Sequence, residues 1–156
     1  MNILVTGGAG YIGSVTAESL IQAGHLVTGH RAAAPDGVNF VEADLADSHT
    51  LVETFIKNKF DAVMHFAAFI EAGESMKDPG RFYQNNFTNA ITLAETAVRA
   101  GVKRFVLSST AAVFQSSEEP LNEESPLGPT NVYGHTKLMV EQALEVGEVI
   151  GKPVRR

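Results

Sequence analysis

Tyr133 and Lys137 stand four residues apart, one helical turn, so a phenol and an ammonium on one helix face can reach the same ligand. A free phenol ionises near pH ~10, so to act as an acid/base near neutrality it needs a neighbouring cation to stabilise its phenolate. Lys137 is spaced to supply one. Upstream, Ser108-Ser109-Thr110 ends an apolar run, and a hydroxyl at such a strand end can hold a substrate oxygen while a proton moves. The same Tyr and Lys spacing is common on solvated helix faces, and a second motif is needed to give it meaning.

That motif is Thr6-Gly7-Gly8-Ala9-Gly10-Tyr11-Ile12-Gly13, which satisfies G-x-G-x-x-G from Gly8 and G-x-x-G-x-x-G from Gly7. Glycines without Cβ let the turn tighten and bring backbone N–H groups to a pyrophosphate at the positive end of the following helix. The last glycine allows close packing of helix on strand.

The elements that must position these groups follow from periodicity. Ile3 to Thr6 is a short apolar run, and Tyr11 to Ala23 has a helical pattern stopped by Gly24. Leu26 to His30, Val38 to Glu42, Ala62 to Phe66 and Arg104 to Ser109 are further strands by their β-branched and aromatic content. Helices are predicted over Ser48 to Asn58, Gly80 to Ala100 and Asn131 to Ile150, and Gln115 to Thr130 is the longest irregular segment, of the length of a binding loop. Alternating strand and helix predict an α/β fold, a doubly wound parallel sheet in one domain over 1–156.

Composition narrows the function classes. With 156 residues, 44% of them hydrophobic, the chain can bury one core, and a net charge of -6 with scattered basic residues leaves no footprint for nucleic acid. It has no cysteine, which excludes disulfides and thiolate metal sites and suits a reducing cytoplasm. The longest apolar stretch, Ala62 to Ile70, contains His65 and is far short of a membrane span. The histidines show no metal-ligand spacing, so no metal site is expected, and His65 within a strand reads as a hydrogen-bonded core residue. Glu118, Glu119, Glu123 and Glu124 read as a solvated acidic face rather than a glycosidase pair.

Together with His65-Phe66-Ala67-Ala68, Gly73-Glu74-Ser75, Asn85-Asn86 and Leu138-Met139-Val140-Glu141-Gln142, these motifs resemble the extended short-chain dehydrogenase/reductases, and within them the UDP-glucose 4-epimerases. The resemblance runs nearly end to end. It implies a Rossmann domain in which Tyr133 is the catalytic base, Lys137 lowers its pKa and binds the nicotinamide ribose, and Thr110 is the catalytic Ser/Thr. It further implies that Gly7, Gly10, Tyr11, Ile12 and Gly13 hold the pyrophosphate of NAD, and that Asp44 and Leu45 flank the adenine. Phe66, Ala67, Ala68, Asn85 and Ser108 then line the cofactor cleft. The implied reaction removes hydride from C4 of a UDP-sugar to NAD while Tyr133 takes the hydroxyl proton, and returns hydride to the opposite face. A homodimer through the helices at Gly80 to Ala100 and Asn131 to Ile150 is implied as well.

Several positions depart from the pattern. His30 and Arg31 stand where a Rossmann site normally has an acid for the adenosine ribose. Arg31 could read the 2'-phosphate of NADP, but a deletion after Thr28 is the more economical account; it leaves either a tight crossover or a compromised second strand. Ile70 replaces a lysine and Phe114 a tyrosine. Lys152-Pro153-Val154-Arg155-Arg156 resembles the start of a sixth strand with no substrate domain after it, so a truncated chain with little turnover of its own is expected. An uncovered sheet edge would then invite a domain-swapped dimer. Two other functions compete: a sugar-nucleotide dehydratase, disfavoured because Ala111 and Ala112 replace the acid pair expected after Thr110, and a non-catalytic dinucleotide-binding module or engineered fold fragment.

Overall fold

The computed structural model describes residues 1–30, 39–41 and 43–146, apart from the side chains of His30, Phe40 and Val146. Five parallel strands, β1 (Asn2–Thr6), β2 (Leu26–His30), β3 (Asn39–Val41), β4 (Ala62–His65) and β5 (Arg104–Leu107), form one sheet in the order β3-β2-β1-β4-β5. The order reverses direction at β1, between β2 and β4. In such a sheet the crevice beyond the carboxyl ends of the strands at the switch point is the place for a ligand.

The helices lie on both faces. Leu4 points to the side of α2 (Ser48–Asn58), α5 (Asn89–Arg99) and α6 (Val132–Val146), where Leu51, Phe55, Leu93, Val140 and Leu144 are buried. Its neighbours Ile3 and Val5 point to the other face, where Ala17 of α1 (Tyr11–Gln22) packs. Strand alternation thus feeds two cores, which is why β1 reads as a continuous apolar run.

The strong periodic elements lie where the sequence places them. The second strand is intact: Leu26 to His30 pair in unbroken register with Asn2 to Thr6, and Thr28, Gly29 and His30 also pair with Asn39, Phe40 and Val41. A compromised second strand is therefore not what the chain adopts. Arg31, the rest of the tight crossover, Glu42 and the residues after Val146 lie outside the described residues.

The expected helix from Gly80 to Ala100 begins at Pro79 as α4 (Pro79–Phe82), winds through a π-helical turn (Tyr83–Thr88) and continues as α5. Asp78 caps it, its side chain accepting from Arg81 N–H at 3.2 Å, with Pro79 at the first position. A single π turn inserts an extra residue into an otherwise continuous helix and is frequent at functional sites. The short α3 (Ala72–Lys77) was absent from the periodicity reading because six residues containing Gly73 carry no apolar pattern. The irregular segment is pinched at its base by Gln115 N–H to Pro126 O (2.8 Å) and Gly128 N–H to Val113 O (3.0 Å), and its glutamates stand in solvent as expected.

Candidate active site

Gly7 has φ +72°, in the left-handed region that favours glycine, and a Cβ there would lie 2.7 Å from Ala67 N. The glycine turn therefore touches the loop after β4 backbone to backbone. Gly10 N–H donates to Gly7 O (2.9 Å), and a Cβ on Gly13 would land inside contact distance of that same carbonyl. Gly10 caps α1 without a side chain, and the first intrahelical bond is Ser14 N–H to Gly10 O (2.9 Å). The N–H groups ahead of it have no helical acceptor, which leaves a positive backbone cradle of the kind that takes an anion. The side chains of Tyr11 and Ile12 are exposed, so it is their backbone that belongs to the cradle. Gly13→Ala, the mildest steric change, should destabilise the chain by about 1–3 kcal/mol through overpacking. It should also weaken dinucleotide binding at least ~10-fold, as the displaced turn forfeits about 1.4 kcal/mol or more. Thermal melting and calorimetry check both.

The second half of the site is assembled at the end of β5. Thr110 caps a 3₁₀ turn (Ala111–Val113), its Oγ1 accepting from Ala112 N–H at 3.2 Å. Asn131 caps α6, its Oδ1 accepting from Gly134 N–H at 2.8 Å. A Cβ on Gly134 would collide with Ala112 O and come to 3.0 Å from Pro129 Cβ. The first turn of α6, with Tyr133, is thereby pressed against the turn that carries Thr110. Tyr133 is half-buried. Thr110 and Phe114 line a cleft of about 270 Å³ together with Ser109, Val113, Glu123 and Glu141.

Lys137 is only 3% exposed, and its Nζ donates to Ser108 O at 2.7 Å. Burial lowers its pKa from 10.5 to about 8, against the opposing pull of the Glu141 carboxylate. It is still mostly protonated at neutral pH, a cation held beside the end of β5. His65 beneath it is buried, with Nδ1 2.6 Å from Thr6 Oγ1. Burial, and secondarily the charge on Lys137, lowers its pKa to about 3, so His65 is a neutral core residue.

The remaining sequence-predicted positions fall on both sides of this arrangement. Phe66, Ala67 and Ala68 form the half-buried loop after β4, and Phe66 N–H extends the ladder by donating to Thr6 O (3.1 Å). Ser108 N–H does the same to His65 O (3.0 Å). Asn85 lies half-buried in the π turn. Asp44 is exposed and accepts from Ala46 N–H (2.9 Å), whereas the Leu45 side chain is buried in the core, which leaves its backbone to face any ligand. Ser75 and Asn86 were read only as part of the family motifs, and none of Ser75, Asn86 and Thr136 was expected to hold a site role, yet they link these pieces; for Asn86 and Thr136 a polar residue inside a helical apolar pattern was the available signal. No group of three or more potential metal-ligating side chains occurs among the described residues, and no helix among them is long and apolar enough to cross a membrane.

Comparison with known proteins agrees with this geometry. The model of the NAD dependent epimerase/dehydratase family matches residues 3–147. A UDP-glucose 4-epimerase of Lacticaseibacillus casei is 42% identical over 157 residues, spanning 96% of this chain and 47% of that protein. The solved UDP-glucose 4-epimerase from Brucella ovis in complex with NAD is 37% identical with TM-score 0.87, over 92% of this chain and 46% of that one. The enzyme from Bifidobacterium longum in complex with NAD+ and UDP is 32% identical with TM-score 0.84, over 91% and 47%. The chain spans about half the length of the curated relatives it matches. It belongs to the NAD dependent epimerase/dehydratase family.

Proposed function

We propose that this chain is the cofactor-binding part of an NAD-dependent epimerase acting at C4 of a UDP-sugar. The observation that carries the reading is the buried Lys137, held by Ser108 O between the end of β5 and the first turn of α6. A charged lysine is kept in such a place against its desolvation penalty, and a function for the charge accounts for that. The relatives named as UDP-glucose 4-epimerases, one solved with NAD and one with NAD+ and UDP, support the substrate and cofactor classes.

The cradle of Gly7, Gly10, Tyr11, Ile12 and Gly13 fits a pyrophosphate because its glycines carry no Cβ to cover the backbone and no side chain caps the helix end. Asp44 and the Leu45 backbone would face the adenosine end, with Phe66, Ala67, Ala68, Asn85 and Ser108 along the cleft. When bound, NAD would supply the hydride acceptor. Tyr133 then takes the proton of the sugar hydroxyl, Thr110 Oγ1 holds that oxygen, and Lys137 supplies a cation one helical turn along the same helix. Ala111 and Ala112 after Thr110 provide no second acid for dehydration, which favours epimerisation. Turnover belongs to the whole protein in this proposal, and NAD binding to these 156 residues.

Calorimetric titration of the purified chain with NAD and, separately, NADP tests it. Micromolar binding of NAD is expected. Preference for NADP would make Arg31 a phosphate reader and overturn the cofactor assignment, while binding of neither by a cooperatively melting chain would sink the proposal.

A further inference from the structure

Ser75 of α3 is 0% exposed and has no part in the chemistry above. A helix of six residues is too short to stand alone, and a hydroxyl buried in one is costly unless it is bonded. Ser75 Oγ has both of its roles filled. It donates its single proton to Ala72 O inside α3 (2.6 Å), which leaves its lone pairs for another element. There it accepts from the backbone N–H of Tyr133 (3.1 Å), 58 positions further along the chain.

The start of α6 gives that bond its meaning. The first N–H groups of a helix have no acceptor within it. Asn131 Oδ1 takes Gly134 N–H (2.8 Å), and Asn131 O opens the helical ladder at His135 N–H (3.0 Å). Tyr133 N–H takes its acceptor from α3 instead. α3 is itself tied at both ends. Ser75 N–H donates to Glu71 O (3.0 Å), and Glu71 Oε2 accepts from Ile70 N–H (3.1 Å) in the loop after β4. At the other end Asp78 N–H donates to Glu74 O (3.0 Å) before the Asp78 side chain caps α4. The residue after Tyr133, Gly134, is pressed against Ala112 O in the turn that Thr110 caps. Tyr133 thus enters α6 between a bond to α3 and a contact with the Thr110 turn.

We propose that Ser75 is a positioning residue, which caps the first turn of α6 from α3 and so sets where Tyr133 stands relative to Thr110. The proposal rests on the reading of Tyr133 as the base. Ser75 touches no reacting atom; it holds the backbone from which the phenol projects. A small side chain with a hydroxyl is needed for this, because it must donate within its own helix and accept from the next one at once. α3 follows the loop whose Ala67 backbone abuts Gly7, so the same device ties the acid/base residue to the glycine turn.

Amide exchange followed by NMR in the full chain reads the cap, and steady-state kinetics of the whole protein with UDP-glucose reads its effect. In the wild type, Tyr133 N–H should exchange well below the free-peptide rate. Ser75→Ala should speed that exchange about 10-fold, as loss of one hydrogen bond does, while Gly134 N–H, held by Asn131, keeps its protection. In the same variant kcat should fall at least ~10-fold, toward the ~100-fold that misplacement by about 1 Å costs, with KM and NAD affinity little changed. Ser75→Thr keeps the hydroxyl and should restore both the slow exchange and kcat. Because its added methyl enters a buried site, Ser75→Ala decides if Ser75→Thr misfolds. A folded Ser75→Ala that melts lower with an unchanged kcat shows a structural role only and overturns the proposal. So does a wild-type Tyr133 N–H that exchanges at the free-peptide rate, a result that needs no variant to fold. A whole wild-type protein that binds NAD without turning over the UDP-sugar sinks the epimerase reading instead, and exchange at Tyr133 still decides whether Ser75 seats that residue.

Discussion

Acidification should unfold this chain through His65, and His65→Gln should remove much of that sensitivity. His65 is 1% exposed and paired with Thr6 Oγ1, and its pKa is lowered from 6.5 to about 3 by burial and then by the charge on Lys137. Since the folded value lies below the unfolded one, the unfolded chain binds the extra proton in the window between them. The stability contribution is complete above pH 6.5 and is lost progressively as pH falls toward 3. Each unit is worth about 1.4 kcal/mol, so the whole window amounts to several kcal/mol, on the order of 5. That rivals the ~5–15 kcal/mol by which native domains are stable. A Gln amide can still bond Thr6 and cannot charge. Urea unfolding of both proteins at pH 7, 5 and 4 checks this, and parallel losses of stability in the two would refute it.

Lys137→Met should give a more stable protein that no longer works. The folded pKa of Lys137 is depressed from 10.5 to about 8, so its stability contribution is full above 10.5 and is lost as pH falls through 8. At pH 7 the chain carries the penalty of a buried, mostly charged amine, about 3 kcal/mol from the size of the shift. Met matches the length of the apolar stem but leaves Ser108 O without its donor, which returns about 1 kcal/mol of that. A net gain of about 1–2 kcal/mol raises the melting temperature by a few degrees in a domain of this size. In the whole protein, turnover should fall steeply, because the proposed reaction loses the cation that stands one helical turn from Tyr133. A Lys137→Met chain that melts lower than the wild type would show that the hydrogen bond to Ser108 outweighs the buried charge.

Both predictions turn on buried polar groups, and the two groups were legible to different degrees. His65 was expected to be a bonded core histidine because it sits inside an apolar run, though its partner Thr6 lies 59 positions away and is set only by the β1–β4 pairing. Lys137 was legible as a residue type at the right spacing from Tyr133. Its burial was not, since a Tyr and Lys at that spacing look the same on a solvated helix. The bend of the Gly80 to Ala100 helix into a π turn left no periodic trace, because one added residue hardly disturbs an apolar stripe. α3 was missed for the opposite reason, having too few residues to show a period at all.

What the sequence by itself determined is local and periodic. The glycine spacing, the alternating strands and helices and the Tyr133–Lys137 turn each depend on neighbours within a few residues, where backbone geometry dictates side-chain direction. What only the tertiary structure decided is which distant groups meet: the Gly7 turn against Ala67, Lys137 against Ser108 O, and Asn86 between Phe69 and Thr136. Those contacts join residues 17 to 60 positions apart, and they exist because five parallel strands stack their carboxyl ends on one edge while the helices pack over them. The same close packing that excludes water from these groups shifts their proton affinities, and packing density is a property of the assembled fold.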